Sequence, residues 1–82
     1  MPAVRLRCFA AAREAAGTTE ATFEAATLGE LLGQARARYG EHFAAVLAGS
    51  RVWVNGDEPA HGDGTVLTEG DEVAVLPPVS GG

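Results

Sequence analysis

The segment from Thr27 to Gly40 constrains this chain most, because it carries a helix start, a helical period and a helix stop together. Thr27-Leu28-Gly29-Glu30 fits a capping box, with Thr27 as N-cap and Glu30 at the third helical position. Leu28, Leu31, Leu32, Ala35 and Tyr39 then fall on one face at helical spacing. Arg36 and Arg38 sit where cations suit the helix dipole, and Gly40 is placed to end it. Gly29 and Gly33 weaken the helix by about 1 kcal/mol each relative to Ala, so packing must hold it. A single apolar stripe needs another layer to cover it.

The flanking segments supply strands for that layer. Val4 to Cys8 alternates, which predicts Val4, Leu6 and Cys8 facing inward and Arg5, Arg7 and Phe9 outward. Ala10 to Ala16 reads as one or two helical turns ended by Gly17, and Thr18 to Phe23 as a second strand. Glu41 to Leu47 is expected to be irregular or a short helical turn, anchored by Phe43 and Leu47. Arg51 to Val54 reads as a strand, Asn55-Gly56 as a hairpin turn, and Glu58 to Ala60 as a short return strand with Pro59 at an edge. Glu72 to Leu76 is the last strand, and Pro77-Pro78 stops it. The expected fold is an α+β, ubiquitin-like β-grasp roll: a mixed sheet of about five strands on one main helix. Residues 1–77 form the domain and 78–82 a flexible C-terminal tail.

Composition narrows the function. Eleven acids against six arginines give a net charge of −5, and there is no lysine. A nucleic-acid partner calls for a basic footprint, and an anionic membrane surface for a basic segment; neither is present. With no basic-then-apolar leader and no apolar run of spanning length, a cytoplasmic protein is expected. The lone Cys8 alternates with Leu6 and Val4, so it reads as a buried strand thiol. His42 and His61 lie in expected loops without ligand-spaced companions, so no metal site is expected. The acidic pairs Asp57-Glu58 and Asp71-Glu72 read as turn residues.

The end of the sequence is different. With 11 glycines in 82 residues, a final Gly-Gly pair arises by chance at roughly 2%. Two residues without Cβ make a thin chain that can thread a narrow channel and leave the Gly82 carbonyl open to attack. Pro77-Pro78 stiffen the exit, and the tail reaches at most about 20 Å from Pro77. A carboxylate must be activated before it reacts, and the domain has no phosphate-binding loop. The chain therefore reads as a carrier that another enzyme charges, with no catalytic role alone.

Gly70-Asp71-Glu72-Val73-Ala74-Val75-Leu76-Pro77-Pro78-Val79-Ser80-Gly81-Gly82 closely resembles the C-terminal signature of the MoaD/ThiS family of ubiquitin-like sulfur carriers. Cys8-Phe9-Ala10 through Arg13-Glu14 to Gly17 is similar to that family's first strand and short helix, and Val54-Asn55-Gly56 to its central hairpin. The Pro-Pro-Val-Ser-Gly-Gly ending most resembles molybdopterin synthase small subunits. The resemblance implies that an E1-like adenylyltransferase of the MoeB/ThiF type activates Gly82 with ATP and magnesium. A sulfur donor protein then converts it to a thiocarboxylate, a covalent 1-thioglycine. It implies a large subunit of the MoaE type in a heterotetramer, where sulfur passes to cyclic pyranopterin monophosphate. The chain itself binds no cofactor. Other destinations are thiamine thiazole, cysteine, tRNA or natural-product thiolation, and the second class is a ubiquitin-like protein modifier.

The expected site residues follow. Gly82 and Gly81 carry the chemistry. Phe9, Trp53, Ala74 and Leu76 point to the helix-free face, apolar where a lone domain prefers polar side chains. With Pro77, Pro78, Val79 and Ser80 they are expected to bind partners, and Arg7 and Arg13 to stand at the rim.

Overall fold

A computed structural model describes residues 1–78. The elements are β1 (Ala3–Cys8), α1 (Ala10–Ala16), β2 (Glu20–Glu24), α2 (Leu28–Tyr39), α3 (Glu41–Ala48), β3 (Arg51–Val54), a 3-10 turn (Gly62–Gly64) and β4 (Glu72–Leu76). The sheet runs β2-β1-β4-β3, with β1 and β4 parallel at its centre and both outer strands antiparallel to their neighbours. This is the expected ubiquitin-like mixed sheet, with four strands in place of five.

The missing strand has a backbone cause. Asn55 (φ 51°) and Gly56 (φ 85°) turn the chain, and Val54 and Asp57 exchange both backbone hydrogen bonds, at 2.8 and 3.0 Å. Continuing that ladder would set Pro59 opposite Val52 at the next hydrogen-bonded pair. Proline has no N–H to give there, so pairing stops after one bridge.

The inward face of the sheet holds Val4, Leu6, Cys8, Val73 and Val75, each no more than 1% exposed. Ala12, Leu28, Leu31, Leu32, Ala35, Phe43 and Leu47 cover them from the helices. Val52 and Val54 are half-buried against this core, since β3 is an edge strand. In α2 the Thr27 hydroxyl accepts from the Glu30 N–H at 3.3 Å, while the Glu30 carboxylate reaches Ala26 N–H at 2.8 Å, one residue before the box position. Tyr39 is half-buried, edge-on to Phe23 with centroids 6.3 Å apart and tilted on Phe43 at 5.1 Å.

Glu41–Ala48 is a full helix where irregular chain or a short turn was expected. Its start has no side-chain cap to read, because Gly40 (φ 94°) ends α2 and begins α3. The second strand begins at Glu20, two residues later than the alternation suggested.

Candidate functional site

The helix-free face is assembled by the registers of β1, β3 and β4. Arg7 and Trp53 both lie opposite Ala74, Arg5 lies opposite Glu72, and Arg51 opposite Leu76. Beyond β1, the Phe9 N–H still bonds the Val75 carbonyl at 3.2 Å, so Phe9 is held beside Leu76. Ala10 then takes φ 50°, a sharp reversal for a residue with Cβ. That reversal leaves Phe9 on the sheet face while Ala12 enters the core, so α1 packs on the helix side.

The face divides in two. Phe9, Trp53, Gly56, Glu72, Ala74 and Leu76 line a shallow depression of about 330 Å³. Beside it lies a charged half, where Arg5 meets Glu72 at 3.4 Å and Glu20 at 3.8 Å, and Arg7 meets Glu72 at 3.8 Å. The Arg7 guanidinium stands 5.5 Å from the Phe9 ring centroid. Such exposed pairs contribute little to stability, about 0–1 kcal/mol each. Their arrangement orients the arginines.

Leu76 belongs also to a second hollow, of about 580 Å³, lined with Gly49, Arg51, Pro77 and Pro78. The chain thus leaves the sheet at the border of the apolar depression. Phe9, Trp53, Ala74, Leu76 and Pro77 are half-buried and Pro78 is exposed. Arg13 is exposed on α1, apart from the register that unites the others. Val79, Ser80, Gly81 and Gly82 lie outside the described residues, as does the expected tail beyond Pro78.

Glu72 and Gly56 escaped the sequence reading as members of this face. Glu72 shares the period-two phase of Ala74 and Leu76, which was the available signal; its position beside a turn outweighed it.

The other candidates are structural. Cys8 is 1% exposed, and burial pushes its thiol pKa up, away from the thiolate a nucleophile needs. His42 and His61 are exposed. Asp71 ties two turns together: its carboxylate accepts from Thr68 N–H (2.8 Å), the Asn55 amide (2.9 Å) and the Thr68 hydroxyl (3.0 Å). Those bonds, Thr68 N–H first, hold its pKa below the usual carboxylate value against a small opposing effect of burial. Among the described residues, no group of three or more His, Cys, Asp or Glu side chains could hold a metal ion, and no helix is long and apolar enough to cross a membrane.

Comparison with known proteins gives these features a setting. A family model described as the ThiS family matches residues 6–82. The chain belongs to the ThiS family. Its fold is that of ubiquitin-like sulfur carriers and modifiers. Small archaeal modifier protein 1 from Methanosarcina acetivorans superposes with a TM-score of 0.86 at 30% identity, covering 100% of this chain and 98% of that one. A putative molybdopterin converting factor subunit 1 from Pyrococcus furiosus gives 0.83 at 28% identity, covering 96% of this chain and 100% of that one. A Helicobacter pylori complex of subunits 1 and 2 of molybdopterin-converting factor gives 0.72 at 26%, covering 98% and 99%. Among curated proteins no match was found.

Proposed function

We propose that this chain is a sulfur carrier and serves as the small subunit of a molybdopterin synthase. The observation that carries the reading is the apolar depression at the point where β4 releases the chain. A partner gripping Phe9, Trp53, Ala74 and Leu76 holds the domain outside its own site and receives the segment that follows Pro78. In that reading the Gly82 carboxylate attacks the α-phosphorus of ATP and pyrophosphate leaves. Sulfide (HS⁻) delivered by the donor protein then displaces AMP from the acyl carbon, giving the thiocarboxylate and releasing a proton. Its sulfur next passes to cyclic pyranopterin monophosphate in the large subunit, and water restores the carboxylate. The Helicobacter pylori complex of subunits 1 and 2 supports a two-subunit assembly.

A second reading, conjugation of Gly82 to lysines of other proteins, has its own support in the 30% identity to an archaeal modifier protein. Lacking lysine, this chain could not be extended into lysine-linked chains of itself. Incubation of the thiocarboxylated protein with the synthase large subunit and cyclic pyranopterin monophosphate separates the two. Dithiolene formation is expected; its absence, with lysine conjugates formed in a lysate, would favour the modifier.

A further inference from the structure

The proposed function makes no use of the chemistry of Asn55-Gly56. A backbone nitrogen reaches an asparagine side chain most easily when glycine follows, because glycine has no Cβ to block the approach. Here the approach is open. Gly56 is exposed, a Cβ built on it meets nothing within 4 Å, and among the described residues its N–H donates to nothing. The reaction needs only water. The Gly56 nitrogen attacks Asn55 Cγ and gives up its proton, the bond from Cγ to Nδ2 breaks, and ammonia leaves with that proton. Water then opens the cyclic imide at either carbonyl, giving aspartate or isoaspartate.

The bonds of the Asn55 side chain oppose that attack. Asn55 N–H donates to the Glu72 carbonyl at 2.8 Å, and the Glu72 N–H donates to Asn55 Oδ1 at 2.9 Å. The side-chain amide thus replaces a backbone carbonyl and carries the β3–β4 ladder one residue past the Val54–Val73 pair. Its other end, Nδ2, donates to Asp71 Oδ1 at 2.9 Å, and that carboxylate is itself held by the Thr68 N–H and hydroxyl. Both ends of the amide are therefore fixed toward β4. The turn at Asn55 (φ 51°) and Gly56 (φ 85°) takes the main chain the other way, to the edge of β3 where Asp57 pairs with Val54. Cγ must swing off β4 before the Gly56 nitrogen can attack it.

We propose that Asn55-Gly56 is a deamidation site which Asp71 and the Glu72 N–H hold shut, and that its conversion disables the partner face. Either product damages the same place. Aspartate puts a second carboxylate where the amide gave Asp71 its hydrogen bond, so two like charges meet. Isoaspartate adds a methylene to the main chain inside the turn and breaks the match of Asn55 with Glu72. Trp53, Gly56 and Glu72 line the apolar depression, so the damage reaches that surface. The loss of binding rests on the reading of this face as the partner surface; the modification itself does not.

The test incubates the full chain in mildly alkaline buffer, folded and in urea, and follows conversion at Asn55 by peptide mapping with mass spectrometry. An isoaspartyl methyltransferase marks the isoaspartate. Asp71→Ala and Cys8→Ala run beside wild type, each checked by circular dichroism; Cys8→Ala loosens the core and leaves the Asn55 bonds alone. Losing a hydrogen bond to a charged group shifts a local opening by about tenfold or more. Folded wild type should therefore convert at least about tenfold more slowly than the chain in urea, and folded Asp71→Ala about tenfold faster than folded wild type or Cys8→Ala. Conversion of folded wild type as fast as in urea, or none in either, would overturn the site. Asp71→Ala converting no faster than Cys8→Ala would overturn the role of Asp71. Titration calorimetry with the synthase large subunit should show converted protein and Asn55→Asp binding about tenfold or more weakly than wild type. Unchanged affinity would overturn the effect on the face. Failure of wild type itself to bind would overturn the reading of the face, while the mass measurements still decide the site.

Discussion

Gly29 and Gly33 lie on the same helix, yet replacing each with Ala should move stability in opposite directions. Both replacements gain the intrinsic helix preference of Ala over Gly, about 1 kcal/mol. A Cβ at Gly33 meets nothing within 4 Å, so Gly33→Ala keeps the whole gain. A Cβ at Gly29 would stand 3.1 Å from both the Asp63 Cβ and the Asp63 carbonyl oxygen. Carbon atoms pack best at about 3.5–4.0 Å, so α2 or the 3-10 turn must yield by roughly half an ångström. The turn is held to the start of α2 by the Leu28 N–H bond to the Thr65 carbonyl at 2.9 Å, so yielding strains that bond. Overpacking of this kind costs about 1–3 kcal/mol, which leaves Gly29→Ala between neutral and about 2 kcal/mol destabilised. For a domain of this size each kcal/mol shifts Tm by about 4–8 °C. Thermal and urea unfolding followed by circular dichroism should therefore show Gly33→Ala more stable than wild type and Gly29→Ala no more stable. Equal gains for the two variants would refute the packing argument.

Cys8→Ala should destabilise the domain by about 1 kcal/mol through lost packing and leave thiocarboxylate formation intact; loss of sulfur loading in a folded variant would show the thiol takes part. Asp71 has a depressed pKa in the folded state, so it contributes stability above its unfolded value of about 3.9 and loses it as pH falls through the folded value. Asp71→Asn should accordingly lower stability at neutral pH by about 0.5–1.5 kcal/mol, with the gap to wild type closing in urea titrations run progressively below about pH 3.9. Leu76→Asp puts a charge at the apolar depression and should weaken the activating-enzyme complex by tenfold or more, on the order of 2 kcal/mol, while the core and the unfolding midpoint change little; calorimetric titration reads the first and urea unfolding the second.

Much of this fold is legible in local pattern. The alternation of Val4, Leu6 and Cys8 places the central strand, and Leu28, Leu31, Leu32 and Ala35 place the main helix, because both periods report one buried face. The outward phase of Phe9, Trp53, Ala74 and Leu76 is likewise readable, and the parallel β1–β4 register is what gathers them. Three features depend on longer-range physics. The strand expected at Glu58 to Ala60 fails because Pro59 meets Val52 where a donor is needed, which turn residues alone do not reveal. α3 begins without a side-chain cap, so its start carries no signal. Glu72 shares the outward phase of Ala74 and Leu76, but its pairing with Arg5 and Arg7 depends on the parallel register of β1 and β4, which no spacing in the sequence encodes.

The central claim is that Gly82 carries the sulfur, and intact-mass spectrometry tests it most directly. The protein is incubated with its E1-like activating enzyme, ATP, magnesium and a sulfur donor, beside a variant lacking Gly82 and the Cys8→Ala variant. The account predicts that wild type and Cys8→Ala gain the mass difference between sulfur and oxygen, that fragmentation places it on the C-terminal glycine, and that the truncated chain gains nothing. A sulfur gain in the truncated chain, or one located at Cys8, would contradict it.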